Sequence, residues 1–265
     1  MIFPLETVRG GRFGKSGFTM LELLVSMGIT SVLMITLLSL VASSTESYTR
    51  TQKSINALSQ ARSFMLFFDR EISSQLPSTF FLHEKSEEAS GPESSDKFVF
   101  TRVLTNDEQV EDDPGDLGTS VYYVAFSDDV GNAESPKLFR KNIGPKDTQE
   151  FMDAGSSAAF PSVNTEEDEP VVYNLLKFTC QPKYIDSAGD LQEWELQEPA
   201  LPDPSVVKLE ITFLDDSSAQ GFTTESQWVE IASKAEGLDG GVSSVTDDSR
   251  LRNVRSFSRT ITLKR

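Results

Sequence analysis

Gly17-Phe18-Thr19-Met20-Leu21-Glu22-Leu23-Leu24-Val25 opens an apolar run that continues through Ala42. From Met20 to Ala42 the only ionisable residue is Glu22, and Arg9, Arg12 and Lys15 stand just before the run. At about 1.5 Å per residue, a helix over this stretch covers the roughly 30 Å hydrocarbon core of a bilayer. A carboxylate near the start of such a segment is costly in lipid and rarely sits there without a partner. The next cation after the run is Arg50. The positive-inside rule therefore keeps the N-terminus in the cytoplasm and sends the bulk of the chain across the membrane. A secretory signal has a shorter apolar core with small residues at its far end. Here the glycine-marked boundary lies before the core, so cleavage after Gly17 would remove the charged leader and keep the hydrophobic helix.

The charged leader, Gly17, Phe18, Glu22 and the apolar core, in that order, resemble the prepilin processing site of type IV pilins and type II secretion pseudopilins. The resemblance implies cutting between Gly17 and Phe18 by a prepilin peptidase, then N-methylation of Phe18. It also implies a role for Glu22, whose family counterpart pairs with the N-terminal amine of a neighbouring subunit during assembly. An amine and a carboxylate that meet in lipid each reduce the other's desolvation penalty. The competing reading is a plain signal anchor with an incidental Glu22, which satisfies the hydropathy but needs neither the glycine nor the acid.

The chain has 265 residues, 18 Phe against 2 Trp, and a formal net charge of −17. That acidity argues against nucleic-acid binding, which needs a basic surface. It argues equally against an anionic-lipid surface beyond the helix itself, and suits solubility in an extracytoplasmic space. Cys180 is the one cysteine, so no intrachain disulfide forms, and its apolar surroundings predict a buried thiol. His83, the one histidine, follows Phe80-Phe81-Leu82 at a helix end or loop start. With no second His or Cys, a typical zinc site or nucleophile–His pair has nothing to build on. No G-x-S-x-G, P-loop or dinucleotide fingerprint is present, so no enzymatic activity is expected.

Along the chain, Ile55, Leu58, Ala61, Met65, Phe68, Ile72 and Leu76 recur at helical spacing, with Arg50, Lys53, Arg62, Asp69 and Glu71 on other faces. This predicts an amphipathic continuation of the first helix, stopped by Pro77. No proline interrupts the apolar half, unlike in many major type IV pilins. Ser26, Gly28, Thr30 and Ser31 would let helices approach closely in lipid, or are simply tolerated there. Glu84–Asp96 and the acidic stretch 106–118 read as loops, and 144–170 as a long loop or insertion. Strands are expected at 98–103, at 121–126 and 137–141 as a hairpin, across 171–184 as one extended segment, at 206–213, and at 257–263. In the 206–213 strand Val207, Leu209, Ile211 and Phe213 share one face. Residues 233–250 read as flexible. The run from Leu175 through an acidic Gly turn, Trp194 and Leu201-Pro202 to the terminal Phe257-x-Arg259-x-Ile261 looks like the pattern of J-type minor pseudopilins.

Asp107, Glu108, Glu111, Asp112, Asp113 and Asp116 form an acidic cluster with hard oxygen ligands suited to calcium, as in some pilin-like proteins, although the spacing matches no EF-hand. Asp112, Asp113 and Asp116 are its weak candidates, and an ordinary solvated loop is the alternative. Glu166-Glu167-Asp168-Glu169 reads as a solvated run. The expected architecture is α+β: a leader at 1–17, a long helix at 18–76 crossing the membrane over about 18–43, and an antiparallel β-rich domain at 77–265. The resemblance implies a pseudopilin in the bacterial inner membrane with its domain in the periplasm. Its implied partners are other pseudopilins or pilins, the prepilin peptidase, an inner-membrane assembly platform and lipid. The alternatives are a type IV pilus minor pilin for adhesion or DNA uptake, and a membrane-anchored binding domain that never assembles.

Overall fold

The computed structural model describes residues 19–77, 81–85, 92, 95–109, 115–127, 135–154, 160–194, 203–236 and 254–263. The chain falls into two units, residues 1–51 and 52–265. Helix α1, Met20–Ile72, runs through both. In the first unit it carries the membrane-length apolar segment, with a mean hydropathy of 2.2 over its most apolar window. Its large side chains from Met20 to Val41 all face outward. Hydroxyls in this stretch close on their own backbone. Ser26 donates to Glu22 O at 2.8 Å and Thr30 to Ser26 O at 2.7 Å, which removes polar cost from an apolar helix.

The second unit is α+β. Strands β1 (Phe81–Glu84), β2 (Lys97–Val103), β3 (Leu117–Ser127), β4 (Ser135–Ile143) and β5 (Glu169–Val172) form an antiparallel sheet in sequence order. The hairpin expected at 121–141 is present, in register from Thr119 opposite Ile143 to Ser127 opposite Ser135. A second antiparallel sheet, in the order β7-β6-β8-β9, uses β6 (Leu175–Ile185), β7 (Leu191–Glu193), β8 (Val206–Leu214) and β9 (Val254–Thr262). Val207, Leu209, Ile211 and Phe213 of β8 are fully buried on one face, as their alternation requires.

From residue 52 onward, α1 lays Ala57, Ala61, Phe64, Met65, Phe68 and Ile72 into one core shared by both sheets. Phe98, Phe100 and Tyr122 come from the first sheet; Phe178, Cys180 and Leu209 come from the second. Helix α2 (Pro145–Ala154) covers the other face of the first sheet, where Phe151 and Met152 meet Val99, Val121, Tyr123 and Phe139. Helices α3 (Asp216–Ala219) and α4 (Glu225–Glu236) form a further cluster around Trp228, Phe222, Leu176 and Leu214.

The structure corrects several expectations. Ile55 and Leu58 are half exposed, and Ala57 and Phe64 take the places given to them, because the buried stripe is rotated by part of a turn. The helix ends at Ile72, where Ser73 and Ser74 turn and Gln75 bridges to Arg102, so it stops before Leu76 and Pro77. His83 lies in a strand, not at a helix end or in a loop. Residues 145–154 are helical, not loop, and residues 233–236 belong to α4. The extended segment 171–184 is two strands in different sheets. Asn174 breaks it in the left-handed region at φ 55°, a conformation asparagine tolerates better than most residues. Residues 237–250 and Leu201-Pro202 lie outside the described residues.

Candidate functional site

At the head of α1, Thr19 and Glu22 close a reciprocal cap. The Glu22 carboxylate accepts from Thr19 N at 2.9 Å and from Thr19 Oγ1 at 3.0 Å, and Glu22 N donates to Thr19 Oγ1 at 3.3 Å. T-x-x-E at a helix start satisfies two otherwise orphaned N–H groups, so this acid also sets where the helix begins. The carboxylate is thus folded back over the end of the helix and stays exposed. Gly17 and Phe18 lie outside the described residues. Gly28 has no atom within 4 Å of where a side chain would stand, which leaves an open notch on the helix surface.

A second polar constellation lies under the last turns of α1. Glu71 is buried and accepts from Tyr122 Oη, Arg140 Nη2 and, at 3.3 Å, Ser120 Oγ. Arg102 stands 3.1 Å from the same carboxylate and grips Glu108 with both terminal nitrogens at 2.8 and 2.7 Å. Arg140 also stacks over the Phe67 ring at 4.8 Å. Two guanidinium groups therefore face two carboxylates around a tyrosine hydroxyl. Burial and the adjoining Glu71 carboxylate push the Tyr122 phenol up. Burial works against the charge on Arg140, but Glu71 more than offsets it, and its pKa is raised. Hydrogen bonds from Arg102 hold Glu108 well below the usual carboxylate range. These groups hold α1 to the sheet.

Sequence spacing placed Glu71 on an outer face, and the structure reverses this. The signal was present: Glu71 is three residues after Phe68 and seven after Phe64, on the buried side. Arg102 and Arg140 are in phase with buried Phe98, Phe100 and Leu138 on their strands. The acidic cluster weighed for calcium is described only in part. Glu108 is drawn inward to Arg102, Asp107 and Asp116 are exposed, and Glu111, Asp112 and Asp113 lie outside the described residues. Asp116 accepts from Gln109 at 3.3 Å. Among the described residues, no three His, Cys, Asp or Glu side chains converge as metal ligands. In the run 166–169, Asp168 is not simply solvated. It accepts from Tyr123 Oη at 2.7 Å and Asn164 N at 2.9 Å.

Cys180 is fully buried, and burial with the nearby Asp96 charge pushes its thiol up. Asp96 accepts from Cys180 N at 2.8 Å and lies 3.4 Å from His83 Nε2, tying the first sheet to the second.

Among known proteins, the prokaryotic N-terminal methylation motif matches residues 12–38. No curated protein matches the chain. Among solved structures, a type IV-like pilin of Thermus thermophilus, TTHA1219, is similar with 10% identity over 78% of this chain and 96% of that one, at a TM-score of 0.37. That score is too low to carry an argument. The motif match covers the end of the leader from Arg12, Gly17, Phe18 and Glu22 and enters the apolar helix, so the chain carries the N-methylation motif of pilin-type proteins.

Proposed function

We propose that this chain is a pilin-like structural subunit, a minor pseudopilin of a type II secretion-like pseudopilus. The observation that carries the reading is the methylation motif at 12–38 running directly into a 53-residue helix whose first half is apolar and outward-facing. Prepilin peptidase cuts after Gly17, Phe18 is methylated, and residues 18–43 or so remain in the inner membrane. The domain from residue 77 onward stands in the periplasm. Glu22 is already at the helix end, where its carboxylate accepts from the Thr19 N–H, and in assembly it exchanges its Thr19 contacts for the amine of a neighbour. The subunit acts by packing and registration, with other pseudopilins, the assembly platform and lipid as partners. Resemblance of the second half to J-type subunits supports a place among the minor pseudopilins.

The test is mass spectrometry of the mature N-terminus from membranes holding an active prepilin peptidase. A chain beginning at methylated Phe18 is expected; a chain still beginning at Met1 overturns the reading. Recovery of the mature chain in a long adhesive or DNA-uptake fibre, and not in a secretion pseudopilus, would overturn the finer assignment.

A further inference from the structure

The two sheets end on four edge strands, β1 and β5 in the first and β7 and β9 in the second. β1 and β5 have 4 residues each and β7 has 3, lengths that give another chain little to pair with. β9 has 9 residues, contains no proline or glycine, and pairs with β8 in unbroken register from Leu214 opposite Val254 to Val206 opposite Thr262. Just beyond it, Leu263 donates its N–H to Ser205 O, back toward β8. Backbone direction alternates along a strand, so Phe257, Arg259 and Ile261 also turn their N–H and C=O groups to β8. Ser256, Ser258, Thr260 and Thr262 turn theirs to the outer edge. The hydroxyls of Thr212 and Ser256, 3.1 Å apart on opposed residues, agree with this phase, because side chains come closest in non-hydrogen-bonded pairs. Among the described residues, no strand pairs with that outer edge. The side chains of the same four residues are exposed, while Phe257 and Ile261 on the other face pack on the shared core.

We propose that the free edge of β9 receives an extended acidic segment of a partner protein, added as a further strand to the second sheet. In this mode main-chain hydrogen bonds supply affinity and the flanking side chains supply selectivity. The selectivity here is for negative charge. From residue 250 to 265 the sequence holds Arg250, Arg252, Arg255, Arg259, Lys264 and Arg265 and no acid, against a net charge of −17 for the chain. Arg62, exposed two turns before Asp69, shares the helix face that meets β9, because Asp69 accepts from Arg259 Nη2 at 2.5 Å. Among the described residues two acids touch β9. Asp69 is matched by Arg259, and Glu210, which accepts from Ser256 Oγ at 3.3 Å, stands two residues from exposed Lys208 on the same face of β8. Cations therefore outnumber acids along this edge. Arg255 and Arg259 also oppose pairing of two β9 edges, which favours a partner over a second copy. The proposal does not draw on the assembly reading, since β9 lies outside the methylation motif and the apolar helix.

The test uses the full chain in detergent and a short fluorescent peptide that alternates glutamate and threonine, which places acids beside Arg255 and Arg259 and hydroxyls beside Ser258 and Thr260. Saturable binding by fluorescence anisotropy is expected. The same peptide methylated on alternate backbone nitrogens should not bind, and a lysine–threonine peptide should bind at least about tenfold more weakly. Residue-resolved hydrogen exchange should show the peptide slowing the amides of Ser256, Ser258, Thr260 and Thr262 while those of Phe257, Arg259 and Ile261, already paired to β8, stay as they were. Ser258→Pro removes an outward N–H without breaking the β8 ladder, a position where an edge strand tolerates proline, and should abolish binding. Ser258→Ala keeps the N–H and should bind as the native chain does, and matching unfolding midpoints for the two variants separate a blocked edge from a misfolded one. No binding, equal binding of the lysine peptide, binding that survives backbone methylation or Ser258→Pro, or protection that maps away from β9 would overturn the proposal. So would protection of the four edge amides that rises with protein concentration in the absence of peptide, because the occupant would then be a second copy.

Discussion

Glu71, on the last turn of α1, is a buried carboxylate, and its partners come from three different strands. Removing one member of a buried charge set leaves the others desolvated and unpaired, which costs about 3–5 kcal/mol. Glu71→Ala should therefore lower the unfolding free energy of the full chain in detergent by about that amount. Tyr122→Phe removes a single hydrogen bond to a charged group and should cost about 1.5–3 kcal/mol. Equal costs in denaturant titrations would show that the network is not charge-dominated. Glu108 gives the cluster a pH signature. Its folded pKa is depressed, so its contribution is present above the ordinary carboxylate value near ~4.3 and is lost as pH falls through the lower folded value. Glu108→Gln should flatten the acid limb of the stability curve below about pH 4, and only modestly, because the side chain is a third exposed. The sequence displayed Glu71, Arg102 and Arg140 in phase with core residues, yet charge at such positions normally signals solvent. Only the partner strands, which sequence order does not reveal, make burial affordable. Glu22 is the opposite case: leader, glycine and apolar run surround it within one short window, so the motif that holds it was legible at once.

At the level of elements, β8 was legible from its alternation, and β2, β3 and β4 as aromatic and β-branched runs, which are buried on both faces between the α1 core and α2. The short helices were not. Helix α2 holds only Phe151 and Met152 as large inward residues among acids and polar groups, so its composition reads as loop. Helix α4 was missed despite Trp228, Ile231, Ala232 and Ala235 at helical spacing, because two of the four are alanines. Its anchor is Trp228, 1% exposed and 4.9 Å from the Phe222 ring. Trp228→Ala should cost about 3–5 kcal/mol through the cavity left behind. A loss below 1 kcal/mol in chemical unfolding would mean that α4 is not integral to the fold. Gly118 constrains β3 differently: a methyl there would come 2.5 Å from Leu104 Cδ2 and 3.1 Å from Ile143 O. Gly118→Ala should destabilise the β3–β4 pairing, visible as faster amide exchange along Thr119–Ile143.

At the scale of the second unit, the sequence could not say which strand joins which sheet. The break at Asn174 looks like continuous strand, and it is the only local mark of the passage from β5 in one sheet to β6 in the other. What unites the sheets is the α1 stripe, since Phe64 and Phe68 touch rings from the first sheet and Phe64 also reaches Phe178 of the second. Neither sheet can leave this core without exposing the other's apolar face, so residues 52–265 should unfold in one cooperative step. Two native reporters read that step. Trp194 packs on Phe81 at 4.8 Å beside the shared core, and Cys180 is fully buried within it on β6. Burial, with the Asp96 charge, keeps the Cys180 thiol protonated and shielded, so it should resist alkylation in the folded chain at pH 8. In a denaturant series on the full chain in detergent, tryptophan fluorescence and Cys180 labelling should share one midpoint. Labelling that precedes the fluorescence change would mean that the second sheet opens by itself, and that α1 binds the two sheets as separable layers and not as one core.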